Sequence, residues 1–335
     1  MAFASVIGHE RLRDLLSQAV ARERLPHALL FTGPSGVGKK ALALSVSRAL
    51  LCEKADGDAC DACATCRRAA RGLHPDAVFI EPDGPPLSIK IERVRDAVRE
   101  IAGRPFEGRA RGFVVDEAHL MTEQAQNALL KSLEEPPPTS HVVLVTASPQ
   151  ALLPTIRSRC QTMRFSPLPQ ARVEAYLRET CSLDPAEARL RAALCGGSLG
   201  AALAFESETW RTLREELLGL LERISGAAPL VRLEAAEHLS ELDDPILALS
   251  ALRSLLRDVA ALRTRAGGVL NADIAGRLEA LAGGPVGERA SEMARAAGDT
   301  RDALEGKISG TNLRRGPANS LLAFDVLMDV LGARA

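Results

Sequence analysis

The stretch "ALLFTGPSGVGKKALALSVSRALL", Ala28 to Leu51, decides the fold. Its first part, "ALLFTG", is a short apolar run of the kind found in a strand buried on both faces. From Lys39 onward it is rich in Ala and Leu and reads as a helix. Between them Gly33, Gly36 and Gly38 are spaced so that successive backbone N–H groups converge on anionic oxygens at a helix N-terminus. Lys39 adds a point charge for terminal phosphates. Gly33, Pro34, Ser35, Gly36, Val37, Gly38, Lys39 and Lys40 therefore form a candidate nucleotide loop. Such a loop normally continues with Ser or Thr, whose hydroxyl helps to hold Mg²⁺. Lys40 has no oxygen to offer. Pointing inward it would oppose a metal; on the helix surface it would extend into solvent.

Four more strand candidates follow: "DAVFIEP", "RGFVVDEA", "SHVVLVTAS" (Ser140 to Ser148) and "QTMRFSPL". Helical stretches such as "MTEQAQNALLKSLEE" separate them, which predicts an α/β fold with a parallel sheet covered on both faces. After "FSPLP" the pattern turns helical, with Leu at spacings of three and four and breaks at Gly or Pro. The expected division is an α/β core over 1–165, a small helical domain over 166–206 and an all-α domain over 207–335.

The chain of 335 residues is 46% hydrophobic and 25% charged with a net charge of −1, as in an ordinary globular protein. No global basic excess announces a nucleic-acid partner, although a local patch remains compatible with that balance. At 3% aromatic content, stacking of bases on exposed rings is disfavoured. The start lacks the pattern of a secretory signal, and no run of apolar residues is long enough to span a membrane. A cytoplasmic location is expected.

Four of the seven cysteines, Cys52, Cys60, Cys63 and Cys66, read C-x7-C-x2-C-x2-C. Three thiolates in a tight turn, closed by a fourth at the end of the preceding helix, match tetrahedral structural Zn²⁺. An iron–sulfur cluster also uses repeated C-x2-C, but the insertion is short, polar and without other redox features. Cys160, Cys181 and Cys195 stand apart and are read as non-ligands.

In "FVVDEAHLM", Asp116 and Glu117 follow an apolar run directly. Carboxylates at the end of a buried strand suit Mg²⁺ positioning and water polarisation; an N-cap acid is the plainer alternative. Lys90, Arg93, Arg95, Arg99, Arg104, Arg109 and Arg111 make a basic run diluted by Glu92, Asp96, Glu100 and Glu107. "SIKIERVRDAVREI" is an expected amphipathic helix with Ser88 at its cap, and Arg95 and Arg99 share one face. A solvated surface and a contact to DNA phosphates both fit this pattern.

Together, "IGHERLRDLLSQAVARERLPHALLFTGPSGVGKK", the four-cysteine knuckle, "VVDEAHLMTEQAQNALLKSLEEPP", "VLVTASP" and "LLPTIRSRCQTMRF" resemble the clamp-loader subunits of bacterial DNA polymerase III, within the AAA+ class and nearest their delta-prime branch. The resemblance implies an AAA+ core with a zinc knuckle at 52–66, a helical lid and a helical collar. It places Gly33–Lys40 as Walker A, Asp116 and Glu117 as Walker B and Thr146, favoured over Ser148, as sensor 1. "SRC" (158–160) makes Arg159 an arginine finger acting in trans on a neighbouring subunit's ATP, where the residues alone leave Arg157 and Arg159 open. It further implies gamma/tau and delta partners in a five-membered ring, primer–template DNA along Arg95 and Arg99, and a sliding clamp reached through the assembly.

Two positions depart from an active motor: Lys40, and Gly200 in "GGSLGAAL", where active relatives carry the sensor 2 arginine. Weak or absent ATP/ADP binding without appreciable turnover is therefore expected, and Mg²⁺ is doubtful. The alternatives are a catalytic gamma/tau-type ATPase and a stand-alone structural zinc protein with a relic nucleotide loop.

Overall fold

The computed structural model describes residues 2–54, 56–224, 242 and 244–304. The chain divides into two compact units. One holds residues up to Cys181 together with Cys195–Leu203; the other holds Ser182–Leu194 and the described residues from Ala204 on.

In the first unit, α1 (Glu10–Ala21) precedes β1 (Ala28–Thr32), which runs through the glycine loop into α2 (Lys39–Leu51). Then follow α3 (Ala64–Ala70), β2 (Ala77–Ile80), α4 (Ile91–Ile101), β3 (Arg111–Val115), α5 (Glu123–Glu134) and β4 (Ser140–Thr146). The unit continues through α6 (Pro154–Arg159), β5 (Gln161–Arg164) and α7 (Gln170–Glu179). The strands form one five-stranded parallel sheet in the order β2-β3-β4-β1-β5. Each of the five strand candidates contains a strand, as expected.

Strand periodicity explains the two-sided cover. Leu29 and Phe31 of β1 join Val114, Val143 and Val145 against Leu42 and Val46 of α2 on one face. Ala28 and Leu30 join Phe113, Val142 and Leu144 against Val94, Leu129 and Ile156 on the other. Each wholly buried Leu, Ile or Phe contributes roughly 1.5–3 kcal/mol, so the sheet is fixed from both sides.

The strand order sets the site. β1 and β3 both lie against β4, so their C-terminal ends bring the glycine loop and Asp116 to the same edge of the sheet. Ligands of open α/β sheets bind along this edge.

Two local expectations need correction. Ser88 does not cap α4: Lys90 holds that position without a side-chain bond, while Ser88 exchanges backbone bonds with Asp83. An isolated bridge had already taken its backbone. Arg111 is no surface charge: it is buried in β3 with its Nε 2.8 Å from Asp76 Oδ1.

Short α9 (Leu199–Leu203) belongs to the first unit, whereas α8 (Pro185–Leu194) belongs to the second. There α8 is joined by α10 (Ser207–Ile224), α11 (Pro245–Thr264), α12 (Ala275–Ala282) and α13 (Pro285–Leu304). Trp210, Leu217, Leu221, Leu252, Leu255, Leu278 and Met293 form its core. "DPILALSALRSLLRDVAALR" is α11, capped by Asp244, whose side chain accepts from the N–H groups of Ile246 and Leu247. "NSLLAFDVLMDVL" lies outside the described residues. Among the described residues no helix is long and apolar enough to cross a membrane.

Candidate functional site

The glycine loop has the backbone of a phosphate cradle. Gly33, Gly36 and Gly38 take φ of +143°, +73° and +104°, a region that side-chain-bearing residues avoid. Closure also needs Gly36: a Cβ there would lie 2.2 Å from Ser198 Oγ. Lys39 is buried and its Nζ donates to the carbonyls of Gly33 at 2.7 Å and Pro34 at 2.6 Å. Burial lowers its pKa, against the opposing charges of Glu117 and Asp116. The cradle thus fits a phosphate in backbone shape, but Lys39 must exchange its two carbonyl partners to reach one.

Gly200 stands directly over the loop. Its N–H donates to Gly36 O at 2.9 Å, and a Cβ at Gly200 would lie 2.9 Å from Gly36 Cα. This position therefore contributes only backbone and tolerates no side chain in the present closure.

Asp116 and Glu117 follow β3 and do not cap a helix through their side chains. Asp116 is 8% exposed; its Oδ1 accepts the Glu117 N–H at 3.0 Å and its Oδ2 lies 3.2 Å from Lys40 Nζ. Glu117 is left-handed, φ +45°, and its Oε2 lies 3.4 Å from Nδ1 of His119. That same nitrogen is 3.2 Å from Oγ1 of Thr146, whose hydroxyl oxygen also accepts the Ser148 N–H at 3.0 Å. Glu117 and Thr146 are therefore linked through His119. The sequence reading missed His119, and its signal was present: it stands two residues beyond the acid pair.

The four cysteines meet. Their Sγ atoms all lie within 4.8 Å of one another, with Cys52 and Cys66 buried. N–H groups of Cys60, Cys63 and Cys66 point at the sulfurs of Cys52, Cys60 and Cys63 at 3.5, 3.3 and 3.3 Å. Such bonds stabilise thiolate charge, and a four-sulfur donor set suits structural zinc. Zinc here would tie the end of α2 to α3 and supply no reaction chemistry. Cys160 is buried elsewhere, and burial pushes its thiol up to about 12.

Arg159 ends α6, partly exposed. Its Nη2 is 2.7 Å from Glu134 Oε1 at the end of α5, and its Nη1 donates to Thr155 O at 3.0 Å. The Glu134 partner was invisible in sequence because 25 residues separate the two. Arg95 and Arg99 are both exposed on α4, opposite the buried Val94, Ala97 and Ile101; Arg99 also pairs with Asp96 at 3.3 Å.

Comparison with known proteins bears on this assembly of features. The family model "DNA polymerase III, delta subunit" matches residues 8–169, a span containing the loop, the knuckle, the acid pair and Arg159. DNA polymerase III subunit delta' of Escherichia coli is 34% identical over 260 residues, 76% of each chain. That of Pseudomonas aeruginosa is 36% identical over 64% of this chain and 68% of its own. The chain belongs to the DNA polymerase III delta-prime family. The delta' subunit of Bacillus subtilis is 35% identical, over 63% of this chain and 64% of its own length. The family model ends at residue 169 and so leaves out Ser198 and Gly200.

Proposed function

We propose that this chain is the delta-prime-type subunit of a DNA polymerase III clamp loader. It helps to load the sliding clamp onto primer–template DNA within a five-membered ring containing gamma/tau and delta subunits, and it offers Arg159 to a neighbour's ATP. The observation that carries this reading is the family match over 8–169, which includes the four-cysteine knuckle and the "SRC" arginine as well as the loop. Arg159 is suited to the role because its cis partner is an exposed carboxylate. Such a pair is worth about 0–1 kcal/mol, so the guanidinium is readily re-aimed.

The chain itself turns over ATP negligibly in this reading. Lys40 stands on Asp116, and Gly200 brings no guanidinium to the loop. Mixed with gamma/tau and delta subunits, the purified chain should co-elute in gel filtration, while alone it hydrolyses ATP no faster than its Lys39→Ala variant. Absence of co-elution would favour a stand-alone zinc protein; turnover on the order of 1 s⁻¹, within the ordinary enzyme range and abolished by Lys39→Ala, would favour the gamma/tau-type reading.

Arg95 and Arg99 supply sequence-independent phosphate contacts in the assembled loader. Arg95→Glu with Arg99→Glu should weaken primer–template binding by the complex and flatten its salt dependence, with assembly intact. Fluorescence anisotropy at two salt concentrations reads both effects, and unchanged affinity would remove these residues from the interface.

A further inference from the structure

A nucleotide's divalent cation is ordinarily held between the first turn of the helix after the loop and an acid at the end of a neighbouring strand. In this chain an ammonium fills that place. Lys40 Nζ lies 3.2 Å from Asp116 Oδ2 after β3 and 3.3 Å from Glu81 Oε2 after β2. It also stands 4.6 Å from the centre of the Phe79 ring. Two strand ends thus converge on one side chain of α2. A cation over an aromatic face and between two carboxylates is attracted by all three.

Little is left for a metal. Asp116 Oδ1 already takes the Glu117 N–H, and Oδ2 faces the ammonium. Mg²⁺ demands near-octahedral oxygen ligands and dehydrates reluctantly. Here it would lose the hydroxyl ligand and would meet a fixed positive charge at the remaining carboxylate. Magnesium does not fit these residues.

We propose that Lys40 is a built-in replacement for the divalent cation, so that the loop takes a nucleoside diphosphate or triphosphate in its metal-free form. This deepens, and rests on, the reading of the chain as a subunit that does not turn ATP over. The glycine cradle with its positive φ angles remains to receive the anion, and Lys40 occupies the place of the metal, offsetting one of the two negative charges of Asp116 and Glu81.

The test uses the full chain, with ADP titrated calorimetrically in EDTA and in MgCl₂, and Mn²⁺ followed by electron paramagnetic resonance with and without ADP. ADP should bind no more tightly in MgCl₂ than in EDTA, because magnesium in solution competes for the free nucleotide, and no ADP-linked Mn²⁺ site should appear. Lys40→Thr, which restores a hydroxyl, should acquire such a site and gain about tenfold in ADP affinity from Mg²⁺. Lys40→Gln, closer in length and bearing a carbonyl oxygen, replaces it if the threonine variant does not fold.

Three results would each overturn the proposal. One is an ADP-linked Mn²⁺ site in the unmodified chain that Asp116→Asn removes. Another is no ADP binding in EDTA at millimolar concentration. The last is a folded Lys40 variant that still takes no Mn²⁺. None of these depends on partner subunits, so failure here is distinct from failure to co-elute with them.

Discussion

On the proposed trans role, replacing Arg159 with alanine in the assembled clamp loader should slow ATP hydrolysis at the neighbouring subunit's site by on the order of 10³. The planar guanidinium matches phosphoryl oxygens with two parallel donors, which a lysine cannot reproduce, so Arg159→Lys should recover little. Among the described residues Arg159 pairs with Glu134 and the Thr155 carbonyl at a partly exposed helix end. The variant should therefore melt within about 0.5 kcal/mol of the parent stability, which separates a trans role from a structural one. Single-turnover hydrolysis with nucleotide pre-bound is the measurement, because binding to the neighbour should hardly change. Arg157→Ala serves as the control. Equal hydrolysis by the Arg159→Ala and unmodified complexes would remove the arginine from the reaction.

The second large effect is on stability. Asp76, at the entrance to β2, is fully buried and collects four donors. Its Oδ1 accepts from Phe106 N and Arg111 Nε, both at 2.8 Å. Its Oδ2 accepts from Glu107 N at 2.9 Å and Gly108 N at 3.0 Å. One carboxylate thus folds the loop before β3 and neutralises the buried Arg111 guanidinium at the start of that strand. Asp76→Ala leaves the guanidinium without its counter-charge and three N–H groups without their acceptor, and breaking a buried pair in this way costs about 3–5 kcal/mol. That is a large share of the 5–15 kcal/mol typical of a domain. A fall in urea midpoint of the sheet domain, without recovery in Asp76→Asn, is the expected result; a change under about 1 kcal/mol would show that the loop is held by other means.

The same carboxylate predicts a pH dependence. Burial alone would raise its pKa, but the N–H groups of Glu107, Phe106 and Gly108 and the Arg111 guanidinium outweigh burial and hold it at about 2. A depressed folded-state value means stability that is complete above the unfolded pKa near 4 and lost as pH falls toward 2. Roughly 2 kcal/mol should disappear across that window, and Asp76→Ala should remove this part of the acid sensitivity.

Much of this site was legible because its signals are local. A parallel strand buried on both faces must be apolar nearly throughout, so the central strands β1, β3 and β4 announced themselves, whereas the edge strand β5 buries only Met163. Cysteine spacing likewise carried the knuckle, since three of its four sulfurs lie within one turn and a short loop. The acid pair was legible as the polar end of such a strand. Ser88 misled because a good capping residue two positions early had its backbone committed to a bridge with Asp83. Arg111 misled because its charge reads as surface until Asp76 is brought beside it.

By itself, then, the sequence determined the parallel α/β core, the phosphate-loop backbone, the four-cysteine cluster and kinship with the delta-prime family. These depend on residue type and short spacing, which folding does not alter. Only the tertiary structure decided what the charged side chains do. Lys40 had open to it both solvent and the interior, and the order β2-β3-β4-β1-β5 placed Glu81 and Asp116 where its ammonium reaches both. Arg159 met Glu134, His119 joined Glu117 to Thr146, and Arg111 found Asp76 for the same reason. Charges pair across space according to the sheet order, and short sequence spacing carries no record of that order.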